Sequence, residues 1–423
     1  MPTSAADARK FYLLFLLAAS FATGILGRAV ISILQEPLRA EFTLSDAQLG
    51  ILSGLVFGVA NLVASVPAGV LSDRVDRGRL VAVATAIWSA ATALCGLAGG
   101  FLHLVLARFT LALGLAAGGP PKVSMVADLF TVRRRASALG IYYLGIPIGG
   151  FAATFGAGLI AEAYGWRAAF IASGIPGLLL TPLLLLTARA PPRVDALGRV
   201  GKPPPVRETF AFIRGQRALL HLIPAMVLGQ LVLNAIGPWA ASFFIRYHGM
   251  SVGEVGVILG LTGLLGGLGT ACSGFLADRA ERWRAGGALL VIAGALFLML
   301  PILLFVLTMP QMPFAMAGWI VYLMVSFLWM PAASAVTQSL AGAARRSTVA
   351  GVVITATSLL GSGLGPLFTG LVSDLLKPYA GAEALRWAMI GFSFLSLWAA
   401  AHALLARRTY SADLARAETP DLS

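Results

Sequence analysis

The hydrophobic residues of this sequence fall into long stretches that are separated by short charged or Pro- and Gly-rich breaks. A helix needs about 20 mostly apolar residues to cross the hydrocarbon core of a bilayer. Twelve stretches of suitable length cover residues 11–34, 47–71, 80–98, 104–127, 138–160, 167–188, 218–245, 252–277, 285–308, 314–340, 348–373 and 387–406. The pattern therefore predicts an all-α membrane protein with twelve transmembrane helices.

The composition supports a membrane location. Hydrophobic residues make up 58% of the 423 positions and charged residues only 12%, whereas an ordinary soluble domain has roughly 25% charged residues. Cys95 and Cys272 each lie inside an apolar run, so no disulfide framework and no metal-ligand spacing is present. The first apolar run follows Arg9 and Lys10, as in a secretory signal, but it continues and many more follow. We interpret it as an uncleaved first span.

The basic residues indicate the orientation of the chain. Of the 31 lysines and arginines, 23 lie in the N-terminus, the even-numbered connections and the C-terminus. The opposite loops contain only Arg39, Arg167, Arg246, Lys377 and Arg386. By the positive-inside rule, we expect both termini in the cytoplasm and the protein in a bacterial inner (plasma) membrane. The net charge of +13 is then a consequence of topology and requires no nucleic-acid partner.

The longest polar stretch, residues 189–217, lies midway along the chain and is rich in proline and basic residues. We predict an N-terminal six-helix bundle at 1–188, a cytoplasmic linker at 189–217, a C-terminal six-helix bundle at 218–406 and a cytoplasmic tail at 407–423. The later part of the linker, residues 207–217, could form an amphipathic helix on the membrane surface. A solvated linker is the alternative.

A loop motif occurs twice, at residues 69–79 and 274–284, and both copies read G-x-L-x-D-R-x-[D/E]-R-x-R. Each copy follows an even-numbered span, at equivalent places in two parallel halves, as transporter repeats do. Its carboxylate could face a helix N-terminus or an arginine and release it when the halves rock. A solvated loop is the alternative, but the repetition favours a cytoplasmic gate. The predicted gate residues are Asp73, Arg74, Arg77 with Asp128 as its partner, Arg134, Arg135, Asp278, Arg279 and Arg282.

These motifs resemble those of the major facilitator superfamily: the repeated loop, Arg108 in span 4, and the Gly-Ile-Pro-Ile-Gly-Gly segment at 145–150. Further stretches, at 35–58, 86–98, 118–121, 134–150 and 165–170, resemble the spinster-like branch. The resemblance implies two pseudo-symmetric six-helix bundles and alternating access. In the best-known members it implies export of lysophospholipids or sphingosine phosphates, often with proton coupling. The chain departs from this branch at Gly27 and Leu115, where carboxylates are usual.

All 18 acidic residues lie in loops, in tails or near span ends. The ionisable residues inside spans are Arg28, Arg108, Lys122 and His402. An unpaired cation in hydrocarbon costs at least about 2.5 kcal/mol, so backbone carbonyls, acids at span ends or an anionic substrate must compensate it. A structural role is favoured for Arg108 and substrate binding for Arg28. Lys122 could bind substrate or extend toward the cytoplasm.

Other polar or aromatic residues inside spans are candidates for a central cavity, although membrane aromatics more often pack between helices. The candidates are Asn61, Tyr142, Tyr143, Asn234, Trp239, Trp329 and Gln338. Few groups in the spans titrate near neutral pH, and His402 is far along the last span, so we expect weak or absent proton dependence.

The sequence thus predicts a secondary active or facilitative transporter for an anionic, amphiphilic, lysophospholipid-like solute. A transporter or exchanger of small organic anions is the alternative, and a transport-inactive sensor on the same fold is a third. An enzyme is excluded because the four histidines lie apart and no H-E-x-x-H motif occurs. We expect no cofactor, no bound metal and no nucleic acid, contact with membrane lipids, and a monomer.

Overall fold

The computed structural model describes residues 5–188 and 206–418, and within these ranges it contains helices and no strand. The helices before the linker are α1 (Ala5–Phe42), α2 (Asp46–Gly50), α3 (Val56–Arg74), α4 (Arg77–Cys95), α5 (Phe101–Leu129), α6 (Val132–Tyr143), α7 (Gly145–Phe151) and α8 (Ala157–Thr187). Short π-helical stretches at Ile51–Leu55 and Ala152–Gly156 join α2 to α3 and α7 to α8.

The helices from the linker onward are α9 (Val206–Gly215), α10 (Arg217–Ile236), α11 (Ala240–His248), α12 (Val252–Trp283), α13 (Gly287–Thr308), α14 (Met312–Ser326), α15 (Trp329–Ala356), α16 (Leu364–Ala380), α17 (Ala384–Ser393) and α18 (Leu395–Glu418). A π-helical stretch at Thr357–Gly363 joins α15 to α16, and 3₁₀ turns occur at Gly237–Trp239 and Gly381–Glu383.

The described helices provide twelve membrane crossings. Ten helical stretches are long and apolar enough to span a bilayer, and two of these, Ser137–Thr187 and Thr348–Arg416, contain 51 and 69 residues. Each of the two is too long for one crossing of about 20 residues. The first is interrupted at Gly165 (φ 81°) and the second at Gly381 (φ 55°), positions where the left-handed backbone favours glycine. Twelve spans are confirmed.

The chain folds into two compact units that do not follow its linear order. The first comprises residues Met1–Asp195 and Pro238–Leu264, and the second comprises Ala196–Gly237 and Leu265–Ser423. Helix α11 and the beginning of α12 therefore belong with α1–α8, although they follow the linker in sequence. The 3₁₀ turn at Gly237–Trp239 marks the point where the chain passes from the second unit back to the first.

The core of the first unit forms where α4 packs against α5 and α8, and where α1 packs against α7 and α8. The glycines of the 145–150 segment explain the close approach of α7 to α1. A Cβ atom at Gly149 would lie 2.3 Å from the carbonyl oxygen of Ala22, and one at Gly145 would lie 2.9 Å from that of Ala18. Small residues at such contacts let two helix backbones meet, which is how membrane helices gain packing energy.

In the second unit, α18 packs against both α10 and α13. The carboxylate of Asp413 on α18 accepts a 2.7 Å hydrogen bond from the backbone N–H of Ala218, so it satisfies one free donor at the start of α10. The later part of the predicted linker is helical as α9, with Ile213 buried and Phe212 against the guanidinium of Arg345 at 4.6 Å. Its location on a membrane surface stays a prediction.

Candidate functional site

The acidic residue at the [D/E] position of the repeated loop caps a helix in both halves. Asp76 accepts a 2.8 Å hydrogen bond from the backbone N–H of Arg79 at the start of α4. Glu281 accepts bonds of 2.9 and 3.0 Å from the backbone N–H groups of Gly286 and Ala288 at the start of α13. A carboxylate at this place satisfies free N–H groups and interacts favourably with the helix dipole. The repeat therefore encodes equivalent local geometry twice.

The arginine that follows this acidic residue behaves differently in the two halves. Arg77 is buried, and its Nη1 lies 2.6 Å from the carboxylate of Asp128 and 2.7 Å from the hydroxyl of Ser124. The pairing of Arg77 with Asp128 that the sequence suggested is present. Arg135 also contacts α5, since its Nε donates a 3.1 Å bond to the carbonyl oxygen of Ala127. These contacts tie α4 and α6 to the end of α5.

The second copy of the loop shows no equivalent ion pair among the described side chains. Arg282 donates a 3.3 Å bond to the carbonyl oxygen of Asp278, within its own helix. Arg279 lies 5.3 Å from the ring centre of Trp283, and all three charged residues are exposed. Of the other predicted gate residues, Arg134 is exposed, and the side chains of Asp73 and Arg74 lie outside the described residues. A gate role for these residues stays a prediction.

Arg28 lies in the middle of α1 and has an exposed side chain. Its guanidinium lies 5.5 Å from the ring centre of Phe57. No acidic side chain within the described ranges forms an ion pair with it. An accessible, fork-shaped cation without a protein counter-ion can bind carboxylate or phosphate with two parallel hydrogen bonds.

Arg108 is completely buried next to Arg28 and bonds to backbone carbonyl groups. Its Nε donates to Leu52 O at 2.9 Å, Nη1 to Gly27 O at 3.3 Å and Nη2 to Arg28 O at 2.9 Å. Its guanidinium also lies 4.7 Å from the ring centre of Phe57. Of the three ways to compensate a buried cation, backbone carbonyls are the one that operates here. Through these bonds Arg108 holds the backbone of α1 in place at Arg28, whose own guanidinium is exposed.

Lys122 is enclosed by aromatic rings, with 1% of its surface exposed. Its ammonium lies 4.5 Å from the ring centre of Trp88 and 5.4 Å from that of Phe21. Phe21 in turn stacks on Tyr142 at 4.7 Å and meets Tyr143 edge-on at 6.0 Å. The faces of aromatic rings attract a cation in place of a carboxylate. Lys122 therefore does not extend toward the membrane face, and it contacts no solvent in this arrangement.

The remaining predicted cavity residues divide into accessible and packed side chains. Asn61, Tyr143, Asn234 and Gln338 are exposed or partly exposed, whereas Tyr142, Trp239 and Trp329 are buried. Asn234 donates from Nδ2 to the carbonyl oxygen of Gln230 at 2.8 Å. Contact between a solute and any of the three packed rings would require them to move, so that role stays a prediction.

The two positions at which spinster-like proteins usually carry carboxylates are filled by packing. A Cβ atom at Gly27 would lie 2.4 Å from the hydroxyl oxygen of Thr92, so a larger side chain at this position would require Thr92 to move. Leu115 packs over Gly24, where an added Cβ would meet its Cδ2 at 2.6 Å. The departures from the family pattern are thus matched by tight contacts between α1, α4 and α5.

Sequence reasoning missed a polar layer beyond Arg28. Gln35 is completely buried on α1, donates from Nε2 to the Ser53 hydroxyl at 2.9 Å and accepts from the Ser242 hydroxyl at 2.9 Å. Gln35 lies seven positions after Arg28, which is about two turns further along the helix. A single buried glutamine carries no signal in the sequence, because its partners come from α11 and the π-helical stretch.

A cluster of charged residues lies next to this layer in the first unit. Arg246 on α11 binds both carboxylate oxygens of Asp46, at 3.0 and 2.8 Å, and its Nη2 lies 2.7 Å from the Glu36 carboxylate. Arg39 lies 3.8 Å from Glu36 and 3.9 Å from Asp46. In the sequence, Arg39 and Arg246 stood out only as two of the five basic residues in the loops opposite the termini. Their shared acidic partners fasten α11 to α1 and α2.

Twelve crossings in two compact units, with charged residues bonded at the span ends, are typical of a polytopic membrane transporter, as is a mid-span cation that has no acidic partner among the described residues. Residues 16–366 match the family model for the Major Facilitator Superfamily. The chain belongs to this superfamily. Its family and fold are those of transporters and not of enzymes.

Individual relatives are distant but cover most of the chain. An MFS-type efflux pump of Mycolicibacterium smegmatis is 28% identical over 85% of this chain and 83% of its own length. The hexuronate transporter of Bacillus subtilis is 26% identical over 88% of this chain and 90% of its own length. A crystal structure of a bacterial homologue of the human lysosomal transporter Spinster, inward-facing and unoccupied, superposes with a TM-score of 0.86 at 25% identity. The superposition covers 97% of this chain and 99% of the Spinster homologue, in agreement with the resemblance to the spinster-like branch.

Proposed function

We propose that this protein moves an organic anion across the membrane by alternating access and that Arg28 binds the anionic group. The observation that carries this proposal is the exposed guanidinium in mid-span, with no acidic partner within the described ranges. Placing a cation in a membrane span is unfavourable, and an anionic solute can compensate it where no described acidic side chain does. A carboxylate or a phosphate has the geometry that the guanidinium fork recognises.

The surroundings of Arg28 favour an amphiphilic solute with a lysophospholipid-like shape. Ile25 and Phe21, three and seven positions before Arg28, lie on the same face of α1 and are partly exposed. Tyr143, whose ring meets Phe21, is 46% exposed. An anionic head group at Arg28 would leave the rest of the solute along this apolar and aromatic strip.

A small organic carboxylate is the second candidate. The match to the hexuronate transporter of Bacillus subtilis over 90% of that protein supports it. That relative is named as a transporter of hexuronate. A hexuronate is a sugar acid, so it offers a carboxylate to Arg28 but has no apolar tail. Both candidate solutes carry an anionic group that binds Arg28. They differ in whether the apolar strip contributes to binding.

Uptake into proteoliposomes made from the purified full chain tests the proposal. Three solutes would be compared: a lysophospholipid, its water-soluble glycerophosphate head group, and a hexuronate. Replacement of Arg28 by Ala should reduce uptake of the transported solute at least about tenfold, because hydrogen bonds to charged groups contribute about 1.5–3 kcal/mol. Arg167→Ala is the control, since Arg167 is an exposed arginine near a span end. Equal uptake by the Arg28 variant and the control would refute the role of Arg28.

Two further features are part of the same proposal. Both termini are placed in the cytoplasm, because the basic residues concentrate on the side of the termini. We also propose that transport is weakly coupled to protons or not coupled at all. The packing at Gly27 and Leu115 supports this, because no carboxylate occupies either position. An imposed pH gradient that drives robust uptake would contradict weak coupling. If none of the three solutes moves across the membrane, the result would favour the alternative of a transport-inactive sensor on the same fold.

A further inference from the structure

The fold brings together two of the four histidines, which the sequence separates by 181 positions. His221 lies on α10 and His402 on α18, and their Nδ1 atoms are 3.1 Å apart. The ring centres lie 5.2 Å apart, with the planes inclined at 44°. Both side chains are half-buried. Neither residue belongs to the solute site described above, so the pair requires a separate explanation.

We propose that His221 and His402 form a binding site for a divalent transition-metal ion such as Zn²⁺, Ni²⁺ or Cu²⁺. Imidazole nitrogen is a preferred ligand of these ions. Two nitrogens bound about 2.0–2.1 Å from one ion lie about 2.9 Å apart at a right angle and about 3.4 Å apart at a tetrahedral angle. The observed separation of 3.1 Å falls between these values. The separation of the two nitrogens is thus compatible with one bound ion.

The described surroundings indicate which ion fits and how it is held. No group of three or more His, Cys, Asp or Glu residues lies close enough to hold a metal in the described part of the chain. Two imidazoles therefore supply the protein ligands, and water completes the coordination through the exposed side of the pair. A site without carboxylates does not suit Mg²⁺ or Ca²⁺, which prefer oxygen ligands.

An ion can reach the pair from the aqueous phase at the membrane face that carries the termini. His221 lies four residues after Arg217, and His402 lies five residues before Arg407. At a rise of 1.5 Å per residue, both rings are about 6–8 Å along their helices from these charged positions. The site is therefore close to water, although both helices continue into the membrane.

A bound ion would cross-link α10 to α18 within the second unit. These helices already pack along each other and share the cap formed by Asp413 at the start of α10. The ion replaces the hydrogen bond between the rings, in which one Nδ1 donates its proton to the other. That proton moves to Nε2 of the same ring by exchange with water, so both Nδ1 atoms offer a lone pair to the ion. Binding weakens as the pH falls, because protons compete for the same nitrogen atoms.

Isothermal titration calorimetry on the full chain in detergent, with any affinity tag removed, tests the proposal with ZnSO₄, NiCl₂ and CuCl₂. We expect saturable binding of one ion per chain and no binding of MgCl₂. His221→Ala and His402→Ala should each weaken binding at least about tenfold, because even the loss of an outer-shell partner weakens a metal site by that factor. His103→Ala, which removes an exposed histidine of the first unit, should leave the affinity unchanged.

An electron paramagnetic resonance spectrum of the Cu²⁺-loaded native chain provides a test that needs no variant. We expect splitting from two nitrogen ligands. The proposal is overturned if the spectrum shows only oxygen ligands or if the native chain shows no saturable binding. It is also overturned if His103→Ala weakens binding as much as His221→Ala does.

Discussion

Replacement of Arg246 by Ala should release α11 from α1 and α2. In the native chain the guanidinium binds both oxygens of Asp46 and also the carboxylate of Glu36. Asp46 is 1% exposed and Arg246 is 12% exposed, so these bonds are largely shielded from bulk water in the native chain. In the variant the two carboxylates lose this guanidinium, and Arg39 lies 3.8 Å from Glu36 and 3.9 Å from Asp46.

The magnitude follows from the burial of this cluster. Removing one partner of a buried ion pair costs about 3–5 kcal/mol, because the other charge is left without compensation. Arg39 offsets part of this loss, so we take the lower end, about 3 kcal/mol. Each 1.4 kcal/mol changes an equilibrium constant about tenfold. The population with α11 detached should therefore rise about 100-fold.

The reactivity of a buried cysteine on α11 measures this population. In a chain with Cys95 and Cys272 replaced, Ala241→Cys introduces a thiol at a position that is 4% exposed. Its rate of modification by a maleimide reports how often α11 opens, if reclosing is faster than modification. We expect Arg246→Ala to raise this rate about 100-fold.

Arg167→Ala is the matched control, because Arg167 also pairs with a carboxylate of α1. It lies 2.6 Å from Glu41, but the two side chains are 44% and 40% exposed. An exposed pair contributes about 0–1 kcal/mol, so the rate should change no more than about fivefold. Similar rates for the two variants would show that burial of the Arg246 cluster does not control the attachment of α11.

Two further predictions concern the packing of the first unit. Asp128→Asn should lower the thermal unfolding midpoint because it removes the charge that pairs with the buried guanidinium of Arg77, whereas Asp278→Asn, at an exposed aspartate, should leave it unchanged. Equal midpoints would contradict a structural role for the Arg77 pair. Gly149→Val should reduce the yield of monodisperse protein, since an added Cβ would lie 2.3 Å from a carbonyl oxygen of α1. Gly150→Val is its control, because no atom lies within 4 Å of a Cβ there, and equal yields would refute the packing argument.

The number of spans could be predicted from the sequence because the free energy of placing a helix in a bilayer depends mainly on its own residues. The same local character explains why the repeated loop was informative. Asp76 and Glu281 each cap a helix that begins within a few residues, so the motif alone contains most of the geometry. The assignment of α11 to the first unit could not be predicted in this way, because it depends on contacts with distant helices.

The candidate site was only partly predictable. Arg28 stood out because the acidic residues are absent from the middle of every predicted span, a feature that is visible in the sequence. The aromatic enclosure of Lys122 was not visible, because Trp88 and Phe21 come from two other helices. The sequence left open whether Lys122 binds substrate or extends to the membrane face. The structure shows a buried ammonium next to aromatic rings, and substrate binding by Lys122 stays a prediction.

The sequence by itself determined the twelve crossings, the two-fold repetition of the loop motif and the uneven distribution of charge. Each of these properties depends on the composition of a short segment and its transfer between water and membrane. Only the tertiary structure decided which charged groups meet. Arg246 with Asp46, Arg108 with the carbonyl groups of α1, and His221 with His402 are separated by 80 to 200 positions. Such pairs depend on the packing of whole helices, which no local pattern of residues specifies.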